Sequence, residues 1–209
     1  MKLYFSPGAC SFAPHIMLNE IGAAHTLDRV NTKTKQTASG EDFLVVNPKG
    51  YVPVVKLDNG EVLTEGVMIL QYLADLYPEK ELAPKLGTME RYRLMEMMNY
   101  LTTELHKGFS PLFAADKMVP NKEGSVELRD YTKAQLSIRI GFLADILKKQ
   151  PYLMGAKFTI ADIYATTILR WAAYVHFDLS PWPVIQDYLK RMQDRPSVQA
   201  AIKAEGLKA

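Results

Sequence analysis

Residues 52–76, VPVVKLDNGEVLTEGVMILQYLADL, decide how the first part of this chain folds. Val54 to Leu57 and Glu61 to Leu63 are short apolar runs on either side of Asp58-Asn59-Gly60. An Asn-Gly turn between two such runs is a strong hairpin signal, because a tight two-residue turn needs positive φ at both central positions. Val67 to Tyr77 follows with helical spacing and is stopped by Pro78. The segment therefore predicts strand, turn, strand, helix.

Upstream, Lys2 to Phe5 is a short apolar run closed by Pro7-Gly8, which reads as a strand. Ser11 to Ile21 has helical spacing, with Gly22 as its stop. Thr26 to Val30 reads as a second strand, Lys33 to Gly40 as a polar loop, and Glu41 to Val46 as a short helix ended by Asn47-Pro48. The order β-α-β-α-β-β-α predicts a small mixed sheet covered by helices over residues 1–78.

Downstream, residues 79–87 carry Pro84, Gly87 and alternating charges, as a linker does. From Thr88 the strand signals vanish. Met89 to Ala115 and Glu123 to Lys149 are long helical patterns, and Thr159 to Ala173, Val184 to Asp194 and Ser197 to Glu205 are shorter ones. An all-helical domain is expected over residues 88–209. Charge agrees with a boundary near residue 80: seven basic against nine acidic residues before it, eighteen against fourteen after it.

Composition excludes several classes. The 209 residues are 48% apolar and 23% charged, as in ordinary soluble globular proteins. A net charge of +2 with no block of like charges argues against nucleic acid as a partner. The apolar stretch from Ile160 to Val175 contains Asp162 and Arg170 and is too short to span a bilayer. Pro7-Gly8 breaks the N-terminal apolar run too early for an export signal, so a cytoplasmic protein is expected. One cysteine, and four histidines without ligand spacing, predict neither a disulfide nor a metal.

The residues able to carry chemistry each have two readings. Cys10 lies between a strand and a helix. Unsatisfied N–H groups there favour a thiolate, although a free cysteine also serves as a small buried hydrophobe. The hydroxyl of Ser11 is able to hydrogen-bond an anionic sulfur or to act as an N-cap. Val52-Pro53 reads as trans on sequence alone; a cis bond would present the Val52 backbone to a ligand. Glu65-Gly66 opens a helix. Its N–H groups suit a carboxylate and the Glu65 side chain an amine, or Glu65 simply complements the helix dipole. Asn99, Thr103 and His106, spaced i, i+4, i+7, form one polar stripe. Thr159-Ile160-Ala161-Asp162 is a capping-box pattern and is assigned to folding.

Taken in order, these signals have a specific likeness. Met1 to Ala13 (MKLYFSPGACSFA) resembles the opening of bacterial beta-class glutathione transferases. Asn47 to Val54 (NPKGYVPV) resembles that family's glutathione-binding segment with its cis-proline, and Leu63 to Leu76 its γ-glutamyl-binding helix. Phe158 to Tyr164 (FTIADIY) resembles the capping box of its helical domain.

The resemblance implies a glutathione transferase fold: an α/β thioredoxin-like N-terminal domain plus an all-α C-terminal domain, in a homodimer. It implies an enzyme that uses glutathione as cosubstrate, without metal, and couples it to small hydrophobic electrophiles, with possible Cys10-dependent thiol–disulfide activity. Residue by residue, Cys10 faces the glutathione sulfur, with Ser11 beside it, and Val52, before Pro53, pairs with the tripeptide backbone. Glu65 and Gly66 hold the γ-glutamyl end, and Lys35 neutralises the glycine carboxylate. Asn99, Thr103, Glu104 and His106 line the cleft from the helical side, His106 with a catalytic role. The family usually has Ser at the position of Gly66 and commonly Gln at that of Tyr51. A non-catalytic carrier or regulatory domain of the same fold is the competing reading; the presence of Cys10, Lys35, Glu65 and His106 favours the enzyme.

Overall fold

The computed structural model describes residues 1–208. Their contacts divide the chain into two compact units, Met1–Ala83 with Met192–Ala209, and Pro84–Arg191.

The first unit is built on a five-stranded sheet. Its strands are β1 (Lys2–Phe5), β2 (Thr26–Asn31), β3 (Gln36–Thr37), β4 (Val54–Lys56) and β5 (Val62–Thr64), in the spatial order β3-β2-β1-β4-β5. β1 and β2 run parallel, which requires the crossover helix α1 (Phe12–Ile21). The other neighbours pair antiparallel, so the sheet is mixed, as the element order predicts. Alternating side chains of β1, β2 and β4 (Tyr4, Val30, Val54) pack with Phe43 and Val52 into one buried cluster. Phe43 begins the short helix α2 (Phe43–Val46), capped by the Asp42 side chain. α3 (Gly66–Leu76) follows the hairpin and buries Ile69, Leu70, Leu73 and Ala74.

The hairpin forms where the sequence predicts it, with Val55 opposite Leu63, but its turn differs. Of residues 58–60 only Gly60 has positive φ, at 89°. The Gly60 N–H donates to Leu57 O and the Leu57 N–H to Glu61 O, so three residues make the connection instead of two. Asn59 does not need a left-handed backbone; its side chain accepts from the Glu61 N–H and caps the turn. The polar loop expected over residues 33–40 contains the short strand β3, which polarity alone did not reveal.

The second unit is helical: α4 (Met89–Tyr100), a π-helical segment (Leu101–His106), α5 (Lys107–Met118), α6 (Lys122–Leu147), α7 (Ile160–Leu169), α8 (Trp171–Tyr174) and most of α9 (Pro183–Gln193). Thr159 and Asp162 form the predicted capping box at the start of α7. The last helix, α10 (Pro196–Glu205), packs on α1 within the first unit, although the helical periodicity of 197–205 reads as a continuation of the second. Among the described residues no helix is long and apolar enough to cross a membrane.

Candidate active site

The residues singled out from the sequence fall into two groups, one in each unit. In the first, β1 ends at Phe5 and the chain turns through Pro7–Ala9 into α1. Cys10 sits in that turn, half-buried, and its thiol donates to the carbonyl of Val52 across 3.2 Å. Ser11 is fully buried. Its hydroxyl donates to Ser6 O and accepts from the Ser6 N–H, both at 3.1 Å, and makes no cap on α1. The N-cap reading of Ser11 is therefore corrected: its side chain clamps the turn that carries Cys10.

The Val52–Pro53 bond is cis, as the resemblance implies and against the sequence odds. The Val52 side chain is anchored in the core with Tyr4 and Phe43, which fixes the direction of its carbonyl. Tyr4 itself has no free hydroxyl for chemistry. It donates to Glu41 at 2.9 Å, and burial with that carboxylate beside it pushes its pKa up.

Glu65 precedes α3 with φ 67°, an uncommon value for a residue with a side chain. Its carboxylate is exposed and pairs with the Lys49 ammonium, which also donates to Thr64 Oγ1 at 2.8 Å. Gly66 opens the helix, so its N–H has no intrahelical acceptor. Lys35, half-buried and also at positive φ, donates from Nζ to Gly50 O at 2.9 Å and lies 5.9 Å from the ring of the exposed Tyr51. Lys49 is the residue that sequence reasoning missed. It stands inside the NPKGYVPV segment, but its partner is sixteen positions away, and no local pattern announces the pair.

In the second unit the expected polar stripe is broken. Asn99 and Thr103 are exposed, and the Thr103 hydroxyl turns back to Asn99 O at 3.1 Å. Between Leu101 and His106 the helix widens to π geometry, so three steps from Thr103 no longer return to the same face. His106, the last residue of that segment, is half-buried, and its Nδ1 lies 2.6 Å from the Tyr164 hydroxyl. Glu104 pairs instead with Arg139 of α6, at 3.1 Å. The small Gly108 permits that approach, since a Cβ there would lie 3.1 Å from Leu136 and 2.9 Å from the Arg139 guanidinium. Among the described residues no group of three or more His, Cys, Asp or Glu side chains could hold a metal ion.

Known proteins match this chain over its whole length. Residues 8–76 match the description "Glutathione S-transferase, N-terminal domain" and residues 100–196 "Glutathione S-transferase, C-terminal domain". Glutathione S-transferase GstA of Escherichia coli O157:H7 is 45% identical over 208 residues, covering 100% of both chains. The chain belongs to the glutathione S-transferase family. Among solved transferases, the bacterial beta-class enzyme of Sphingomonas chungbukensis is 45% identical with a TM-score of 0.92. A sphingomonad glutathione S-transferase solved in complex with glutathione is 42% identical with a TM-score of 0.91. Each of these two covers 100% of this chain and is itself 100% covered. The thioredoxin-like sheet and the helical unit of this transferase are thus those of its relatives.

Proposed function

We propose that this glutathione transferase joins the thiol of glutathione to small hydrophobic electrophiles, with glutathione as cosubstrate and no metal. The observation that carries the reading is the pairing of a half-buried thiol with the carbonyl of the residue before a cis-proline, Cys10 with Val52, at the mouth of a thioredoxin-like sheet. A relative of 42% identity was solved with glutathione bound.

In this reading Val52, oriented by Pro53, pairs with the tripeptide backbone. Its carbonyl has a second lone pair to offer beside the one that Cys10 uses. Glu65 receives the γ-glutamyl ammonium and the first-turn N–H of Gly66 its carboxylate, while Lys35 neutralises the glycine carboxylate. Asn99, Thr103, Glu104 and His106 are the glutathione-binding candidates of the helical unit. Cys10 faces the glutathione sulfur, and Ser11 holds its turn through Ser6. Donors directed at the sulfur favour its thiolate. The thiolate then attacks the electrophilic carbon, the leaving group departs with its bonding electrons, and the thiol proton goes to solvent. Cys10 also supports thiol–disulfide exchange with oxidised glutathione. A working free thiol suits a reducing compartment, so the reading includes a cytoplasmic location.

A homodimer belongs to the same proposal. α3 turns Met68, Tyr72 and Leu76 outward, and α4 turns Met89, Tyr92 and Met95 outward, more apolar exposure than isolated surface residues need. Met98, by contrast, belongs to the core. Sedimentation that finds only monomer at micromolar concentration would remove this part. The function is tested by capture on immobilised glutathione followed by a panel of electrophiles. Retention and conjugation are the expected results; no retention together with no turnover of any electrophile overturns the reading.

A further inference from the structure

Phe142, Asp145 and Ile146 share one face of the last turns of α6, at i, i+3 and i+4. With Lys149 and Gln150 just past the helix and Leu153 of the following loop, they line a cavity of about 360 Å³. That volume is in the lower part of the range for small-molecule sites. All six residues belong to the second unit, whereas Cys10, Lys35, Val52 and Glu65 belong to the first.

The walls of this cavity are held by contacts that need no occupant. Leu153, buried, is pinned at both of its main-chain groups: its N–H donates to Asp162 Oδ1 at 2.9 Å, and its carbonyl accepts from Gln150 Nε2 at 2.9 Å. Tyr152 and Gly155 exchange two main-chain hydrogen bonds, of 3.1 and 3.2 Å, in the same loop. On the α6 side the Phe142 ring packs on Tyr100 at 4.9 Å between centroids, and the Tyr100 hydroxyl donates to Arg139 O at 3.1 Å. A cavity built this way costs a ligand little ordering of the protein. The charges around it select what enters. The Asp145 carboxylate is already met by the Lys148 ammonium at 2.8 Å, so Lys149 is charge in excess of it. Arg191 adds a third cation to the loop, donating to Pro151 O at 2.7 Å.

We propose that this cavity is a second ligand site, which takes a small aryl carboxylate. The aromatic body lies against Phe142, Ile146 and Leu153, and the carboxylate faces the Lys149 ammonium. Burial of the apolar body supplies the affinity, and Lys149 supplies the preference for an anion. Binding is reversible, breaks no bond and involves the second unit alone, so it is judged apart from the proposed glutathione chemistry.

Titration with 2-naphthoate, followed in proton–carbon correlation spectra of the isoleucine methyl groups, reads the site directly. The Ile146 methyl, assigned by its loss in Ile146→Val, should shift along a saturating curve with its midpoint at about 1 mM or below. Lys149 is exposed, so Lys149→Glu should fold as the parent does and bind 2-naphthoate about five-fold more weakly or worse. The uncharged 2-naphthylmethanol, which keeps the aromatic body, should bind the parent more weakly than the acid by about the same factor. An Ile146 methyl that stays in place, or that drifts without saturating, overturns the site. Equal binding of acid and alcohol, or parental binding of the acid by Lys149→Glu, overturns the choice of an anion.

Discussion

The Cys10 thiol donates to the main-chain carbonyl of Val52 across 3.2 Å. That hydrogen bond favours the protonated sulfur, whereas the N–H groups at the start of α1 favour the thiolate. The two influences act on the sulfur of a residue that is only half-buried.

From this follows an expected covalent adduct. Incubation with oxidised glutathione should give a single mixed disulfide at Cys10: the sulfur attacks one sulfur of the disulfide, and one glutathione leaves as its thiolate. Intact-mass spectrometry reads the gain. No adduct on the parent, or an adduct that persists in Cys10→Ala, contradicts the assignment. Transferase turnover should survive Cys10→Ala in part, because the reacting thiol belongs to glutathione.

Glu65 and Lys49 give a prediction about competition. A ligand ammonium has to share the carboxylate that Lys49 already contacts through Oε1. Glu65→Ala should weaken glutathione binding about tenfold or more, a charged hydrogen bond being worth roughly 1.5–3 kcal/mol. Lys49→Ala leaves the acceptor in place and removes its competitor, so binding should hold or tighten. Both side chains are well exposed, so folding stability should change by less than about 1 kcal/mol. Titration calorimetry on the two variants separates the roles; equal weakening in both would mean that Lys49 itself holds the ligand.

Asp162 governs stability. One carboxylate oxygen accepts from the Leu153 N–H at 2.9 Å and the Tyr188 hydroxyl at 3.0 Å, the other from the Thr159 N–H at 2.9 Å and the Thr159 hydroxyl at 3.2 Å. Burial pushes the Asp162 carboxyl up, while these four donors pull it back. Asp162→Asn turns one acceptor into a donor facing two donors, which should cost about 3 kcal/mol. Thermal unfolding should then shift down by roughly 6–12 °C. Parental stability in Asp162→Asn would mean that the box adds nothing to the fold.

Alkaline pH should expose two silent tyrosines. Burial and the neighbouring Glu41 push Tyr4 up, and burial with Asp162 beside it pushes Tyr188 up. The folded state therefore holds these protons when an unfolded tyrosine, near pH 10, releases them. The stability they contribute is whole below about pH 10 and declines as pH rises above it. Titration by tyrosinate absorbance should find Tyr4 and Tyr188 ionising only with unfolding, later than most of the eleven tyrosines. Tyr188→Phe should remove one late group; both appearing among the early ones would refute the assignment.

Elements defined by local pattern were legible in the sequence. Residues 54–76 spelled out hairpin and helix because short apolar runs, Asn-Gly and Pro78 are local signals, and Thr159-x-x-Asp162 spelled out its own cap. What stayed hidden depends on partners far along the chain. The pairing of Lys49 with Glu65 and the turn of His106 toward Tyr164 are tertiary facts; the clamp of Ser11 on Ser6 is local, but a serine before a helix reads first as a cap. The π-helical segment was invisible for another reason: a wider turn leaves no residue-type signature, so Asn99, Thr103 and His106 read as one face. The cis bond at Pro53 was legible only through resemblance, since few X–Pro bonds are cis.

The last helix has a consequence for how the molecule is made. α10 lies on α1, Glu205 accepting from the Gly8 N–H at 2.9 Å and meeting His15 Nδ1 at 2.8 Å, both inside the first unit. A ribosome delivers the sheet well before this helix. Until residues 196–205 are made, one face of α1 in the thioredoxin-like unit stays uncovered, whereas every residue of 84–191 already exists. A released chain truncated before Pro196 should be cut by protease within residues 1–83 and spared within residues 84–191. Residues from both ends of this sequence thus build one unit, and the turn carrying Cys10 draws one of its hydrogen bonds, Gly8 N–H to Glu205, from a helix 197 positions away.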